Sequence, residues 1–170
     1  MKLQLKHLIL AILSALIVAI DQITKMYVHL HYQVGESHPV IPGFFNLTYV
    51  RNPGAAFGFL AQSHPQFREI FFLLMPPIAL IIILVILRSV PNNDYWQIFS
   101  LSSIFGGAIG NYIDRLQFRY VIDFLDFHWK EVYTYPAFNV ADMAIVGGVS
   151  VLVVIMFLEG KAAKKKAKAA

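Results

Sequence analysis

Four stretches of the chain stay mostly apolar for about the 20 residues that a hydrocarbon core demands. They lie near residues 8–27, 67–87, 95–113 and 137–158, and the pattern predicts an α-helical integral membrane protein with four transmembrane helices. Pro76 and Pro77 fall inside the second stretch and predict a kink there. The third is the least apolar. It carries Ser100, Ser102 and Ser103, and its Gly106 and Gly110 form the GxxxG spacing that lets a second helix backbone come close. Between the spans the period changes. Phe44-Phe45-Asn46-Leu47-Thr48-Tyr49-Val50 is rich in aromatic and β-branched residues and is followed by the turn signal Asn52-Pro53-Gly54. Tyr120-Val121-Ile122-Asp123-Phe124-Leu125 and Val132-Tyr133-Thr134-Tyr135 read the same way. The segments 29–66 and 116–136 that hold these runs predict a small β-sheet cradle on one membrane surface. The chain thus divides into one four-span domain over 1–160 and a basic tail over 161–170.

Composition strengthens the membrane assignment: 58% of residues are hydrophobic, 14% are charged, and the mean hydropathy is +0.61, far from an ordinary soluble domain. Lys2 and Lys6 precede the first apolar run as in a signal peptide. No small-x-small cleavage site follows, and the helical pattern continues through Asp21 and Lys25, so the run reads as a retained span. The net charge of +4 comes largely from Lys161, Lys164, Lys165, Lys166 and Lys168. This tail reads as disordered and close to anionic lipid headgroups, with nucleic-acid binding the weaker alternative. Eight positive residues fall on the side of the termini and six on the other, so the positive-inside rule predicts cytoplasmic termini.

Several chemistries drop out at once. Without cysteine there is no thiol nucleophile, cysteine-bound zinc or disulfide. HExxH, GxSxG and phosphate-binding glycine loops are missing, and the histidines are scattered. His29 and His31, at i and i+2, would share one face of a strand and read as solvent-exposed. What remains are carboxylates in apolar surroundings, which are expensive there and so mark chemistry or transport. Asp142 lies six residues after Pro136, about 9 Å along a helix that begins at the proline. Alone it would take up a proton and serve as a helix contact. Asp123 stands in an apolar strand-like run, and the excursion that follows can bring the chain back beside it. Two neighbouring carboxylates share one proton, leaving one as base and one as acid, which suits activation of water against an amide.

Other polar residues cluster at the same ends of the spans. Asp21 and Lys25 share a helix face and read as a structural ion pair at the membrane surface. In Gly110-Asn111-Tyr112-Ile113-Asp114-Arg115, structural anchoring and substrate contact are equally open. Asn52-Pro53-Gly54-Ala55-Ala56-Phe57-Gly58 has the backbone freedom needed where a peptide or helix approaches closely. A transporter would also place aspartates in the membrane, but internal repeats are missing and the polar clusters all lie toward one side. A non-catalytic scaffold with Asp142 as a packing residue is the other alternative.

Taken in order, Asp21-Gln22-Ile23-Thr24-Lys25, Arg51-Asn52-Pro53-Gly54-Ala55-Ala56-Phe57, Gly110-Asn111-Tyr112-Ile113-Asp114-Arg115, Val121-Ile122-Asp123-Phe124 and Phe138-Asn139-Val140-Ala141-Asp142 resemble the bacterial lipoprotein signal peptidase family, or signal peptidase II. The resemblance implies an aspartyl endopeptidase of the bacterial inner membrane with Asp123 and Asp142 as its catalytic pair. It implies both termini in the cytoplasm, the active site at the extracytoplasmic face, and no metal or organic cofactor. The substrate would be a diacylglyceryl-modified prolipoprotein, cut on the amino side of the lipidated cysteine, with membrane lipid as the other partner and no nucleic acid. The enzyme is expected to be a monomer. Asn52, Gly54, Asn111, Arg115 and Asn139 are expected to bind substrate or support the pair. One departure stands out: Arg119 occupies a position where the family commonly has glycine.

Overall fold

The computed structural model describes residues 4–54, 60, 63–130 and 132–169, with the backbone alone at 163 and 166–169. The elements run α1 (Leu5–His31), β1 (Ser37–Ile41), β2 (Phe45–Asn52), α2 (Pro65–Ser89), α3 (Tyr95–Phe118), β3 (Val121–Trp129), β4 (Tyr133–Thr134) and α4 (Val140–Ala169). All four predicted spans are helices. Three of them, α1, α2 and the 140–162 part of α4, are long and apolar enough to cross a membrane. Their outer faces leave Ile12, Leu16, Ile23, Ile81 and Val153 exposed, as suits a helix that faces lipid rather than water.

The third helix differs because it lies in the middle. α3 packs against each of the other three helices, and its buried residues include a run of small ones, Ser100, Ser102, Ser103, Gly106, Gly107 and Gly110. Gly106 and Gly110 face α1: a Cβ on Gly106 would sit 2.9 Å from Ser14 Cα, and one on Gly110 would sit 2.6 Å from Asp21 Oδ2. Gly107 turns the other way, and a Cβ there would run into the Ala141 carbonyl of α4. The small residues thus let α3 lie close between two helices. At the end of the bundle away from the sheet, Lys6 is buried and donates from Nζ to the carbonyls of Arg88 (2.9 Å) and Val90 (2.8 Å). It supplies donors that the last turn of α2 lacks.

The predicted cradle is a four-stranded sheet, all antiparallel, in the order β1-β2-β3-β4. It connects the ends of the helices where α1 and α3 stop and α2 and α4 start. Pairing of β2 with β3 runs Leu47↔Leu125 and then Val50↔Asp123, so one extra residue is inserted in β2. Beyond this bulge Val50 and Asn52 share the face of Asp123. Tyr49, Ile122 and Phe124 pack with Val28 of α1 in the core beneath the sheet.

Several local expectations change. α4 starts at Val140 and not near 137, so Asp142 belongs to its first turn and is not two turns inside a span. His29 and His31 lie in the last turn of α1 and not on a strand. His29 is half-buried, with Nδ1 2.6 Å from the Tyr49 hydroxyl. The lysine-rich tail is helical to Ala169 rather than disordered, since alanine and lysine are strong helix formers and no proline stops them. Pro76 and Pro77 do lie inside α2, where the sequence places them. The Ala55, Ala56, Phe57 and Gly58 part of the glycine-containing motif lies outside the described residues.

Candidate active site

The site is built where β3 and the start of α4 come together. After β3 the chain loops out and returns, and the Phe138 carbonyl accepts from Leu125 N–H (2.8 Å) while Phe138 N–H donates to the Leu125 carbonyl (3.1 Å). This pairing brings the next residue, Asn139, alongside Asp123. Asn139 caps α4. Its Oδ1 accepts the Asp142 N–H at 2.9 Å, and Asp142 Oδ2 accepts the Asn139 N–H at 3.3 Å. That reciprocal arrangement is a capping box with an aspartate in its third position.

The same Asn139 side chain reaches the other carboxylate. Its Nδ2 donates to Asp123 Oδ1 at 2.7 Å and lies within reach of Asn111 Oδ1 (3.1 Å) and the Ile122 carbonyl (3.3 Å). Asn52 Nδ2 donates to the second oxygen of Asp123 at 2.9 Å, a contact that the β2 bulge makes possible. Asn111 Nδ2 donates to Asp142 Oδ1 at 2.7 Å. Every carboxylate oxygen of the pair therefore has an amide donor. Asp123 is 2% exposed, whereas Asp142 is half-buried and open on one side. Burial, and after it the charge of Asp142, pushes the Asp123 carboxyl up to about 7, against the opposing hydrogen bonds from Asn52 and Asn139.

Arg115 does not bond either carboxylate directly. It donates to the Gly54 carbonyl (3.1 Å) and to the Asn111 carbonyl (3.2 Å), with its guanidinium 4.9 Å from the Phe72 ring centroid. Gly54 N–H in turn donates to Asn52 Oδ1 at 3.0 Å, so the turn after β2 is held at both ends. All the residues expected to support the pair, Asn52, Gly54, Asn111, Arg115 and Asn139, belong to one connected network.

Asp21 and Lys25 do pair, at 2.9 Å, and both are buried within the protein, 0% and 1% exposed. Two partners of this pair lay beyond the sequence reading. Asp114 Oδ2 is 3.0 Å from Lys25 Nζ, and Gln22 Nε2 donates to Asp114 Oδ1 at 2.9 Å. The only signal for them was their place in the two motifs that also contain Lys25 and Asn111. Arg119 ends α3 in the left-handed conformation, with φ 66°, which accounts physically for a preference for glycine at this position.

The family described as signal peptidase (SPase) II matches residues 13–158. The lipoprotein signal peptidase of Syntrophus aciditrophicus is 48% identical over 157 residues, covering 92% of this chain and 97% of that protein. That of Desulforapulum autotrophicum is 45% identical over 144 residues, covering 85% and 88%. Among solved structures, a bacterial membrane enzyme determined by the in meso method at 2.3 Å resolution superposes with a TM-score of 0.79 at 31% identity, covering 89% of this chain and 88% of that one.

Proposed function

The chain belongs to the signal peptidase II family, and from that premise we propose that Asp123 and Asp142 are the catalytic carboxylates with which it removes signal peptides from prolipoproteins. It is a bacterial integral membrane protein and an aspartic peptidase by family. The observation that carries the site assignment is that one residue, Asn139, binds both carboxylates, Asp123 through its side-chain Nδ2 and Asp142 through its backbone N–H. In this reading Asp123, whose carboxyl is pushed up to about 7, holds the proton of the pair. The more open Asp142 is the base. Water attacks the scissile carbonyl carbon as its proton passes to Asp142, and Asp123 donates its proton to the carbonyl oxygen. Collapse of the tetrahedral intermediate breaks the C–N bond, returns that oxygen's proton to Asp123 and moves the Asp142 proton to the leaving amine. Asn52, Asn111 and Asn139 hold the carboxylates in register, and Arg115 holds the Gly54 turn.

The substrate is a diacylglyceryl-modified prolipoprotein, cut on the amino side of its lipidated cysteine, with the acyl chains lying in bilayer along the helices. α3 is the fourth span: its 24 residues extend about 36 Å at 1.5 Å each, and the helices around it relieve it of facing lipid. Both termini are cytoplasmic, supported by the excess of lysine and arginine on their side, and the site lies at the opposite face. The enzyme acts as a monomer. Purified Asp123→Asn and Asp142→Asn should be folded and cleave a lipidated prolipoprotein at no measurable rate. Near-parental turnover by either variant would exclude this mechanism.

A further inference from the structure

The buried polar group of Asp21, Lys25 and Asp114 bonds neither carboxylate of the pair, yet it reaches the backbone next to each. Asp21 Oδ1 accepts the N–H of Ala141 at 2.8 Å, and Asp114 Oδ2 accepts the N–H of Ile122 at 3.0 Å. Ala141 and Ile122 are the residues immediately before Asp142 and Asp123. Lys25 Nζ joins the two clamps, 2.9 Å from Asp21 and 3.0 Å from Asp114, and donates a third bond to Asn111 Oδ1 at 2.8 Å. That bond fixes which way the Asn111 amide faces. With its oxygen committed to Lys25, its nitrogen is left for Asp142. Gln22 Nε2 closes the group, bonding Asp114 (2.9 Å), the Gly110 carbonyl (3.1 Å) and Asp21 (3.2 Å).

We propose that Asp21, Lys25 and Asp114 are positioning residues that set the separation and orientation of the two carboxylates, an inference that rests on the assignment of Asp123 and Asp142 as the catalytic pair. β3 and α4 arrive from opposite sides of a long excursion, and this group binds the backbone of both. An ion cluster is suited to the task by direction more than by strength. A buried ion pair contributes little net stability compared with an apolar replacement, but its hydrogen bonds tolerate little displacement. Asp21 is also confined sterically, because Gly110 leaves room for it that a Cβ would occupy. Around Asp123 the charged groups are Asp142 of α4, Lys25 of α1 and Arg115 of α3. A shift of Asp142 away from Asp123, or a Lys25 less neutralised by its partners, would each weaken the hold of Asp123 on its proton.

The test uses the purified full-length enzyme with a diacylglyceryl-modified prolipoprotein, comparing Asp21→Asn and Asp114→Asn with the parent and with Asp123→Asn. The expected result is a fall in kcat of about a hundredfold, the order of loss from misplacing reacting groups by about 1 Å. KM should stay within about twofold, because none of the three touches substrate. The alkaline limb of the kcat profile should move to lower pH. A group that only holds the fold together would instead lower Tm while leaving kcat per folded molecule and the pH profile unchanged, and that result overturns the proposal. Should an amide variant not fold, Asp114→Glu decides: it keeps the charge but displaces the clamp by a methylene, so reduced kcat supports positioning and parental kcat overturns it. Turnover by Asp123→Asn would instead bring down the catalytic assignment itself.

Discussion

At the scale of single residues, Asn139 carries the most connections in the site. It caps α4 through its oxygen and bonds Asp123 through its nitrogen. Asn139→Ala should therefore lose both functions, with stability lower by about 1 kcal/mol for the cap and turnover per folded molecule lower by about tenfold or more. Thermal unfolding and a cleavage assay on the same preparation separate the two effects. Asp123 makes a prediction with a sign. Folded, its carboxyl holds a proton up to about pH 7, mainly through burial, more tightly than it would in the unfolded chain. Its stabilising effect is full below the ordinary carboxylate value of 3.8 and is lost as pH rises from there through about 7. The parent's Tm should fall across that window and the fall should flatten in Asp123→Asn; parallel curves would refute it. The two aspartates were legible in the sequence because a carboxylate stands out against apolar neighbours. Asp114 was not, because its partners Lys25 and the Ile122 amide come from other elements. Asn139 was visible as a neighbour of Asp142, but its capping role depends on a helix start three residues later than the periodicity suggested.

Among the elements, the helices were readable because each is a long apolar run, and the sheet because aromatic and β-branched residues collect between turn signals. Their ends were harder to read. Where α1 stops depends on Val28 packing beneath Tyr49, a contact from β2 that no local pattern encodes. The end of α3 makes its own prediction. Arg119 has φ 66°, a conformation costing a side-chain-bearing residue about 1–2 kcal/mol, and its exposed contact with Glu69 (3.3 Å) offsets little of that. Arg119→Gly should unfold at a higher temperature than Arg119→Ala, by about 1 kcal/mol in stability, since both lose the ion pair and only glycine relieves the backbone. Equal melting of the two variants would rule this out. The glycine face of α3 is less forgiving. Gly107→Ala would drive a methyl group into the Ala141 carbonyl, displacing the start of α4, and should cost activity even where the protein still folds.

Across the whole molecule, the buried acidic and amide groups gather at the end carrying the sheet, and Lys6 fastens α1 to α2 at the other. This polarity is what the proposed orientation uses. A reporter inserted near Gly35, in the connection between α1 and β1, should score as extracytoplasmic, and one placed after Lys168 as cytoplasmic. The reverse pattern would put the carboxylates on the wrong face for a substrate whose signal helix enters from the cytoplasm. The number of spans was visible in outline only. α3 is screened by its neighbours, so its sequence looks half like a soluble core helix, with serine and glycine where lipid-facing helices carry leucine and isoleucine.

The extra residue in β2 ties the chemistry to the phase of the strand as much as to the identity of its residues. If the same residues paired with β3 without the bulge, one step out of phase, Tyr49 and Arg51, in place of Val50 and Asn52, would turn toward Asp123. A guanidinium would then stand where an amide now donates. It would keep Asp123 ionised at neutral pH, and a peptidase that needs a proton there would be left with two bases and no acid.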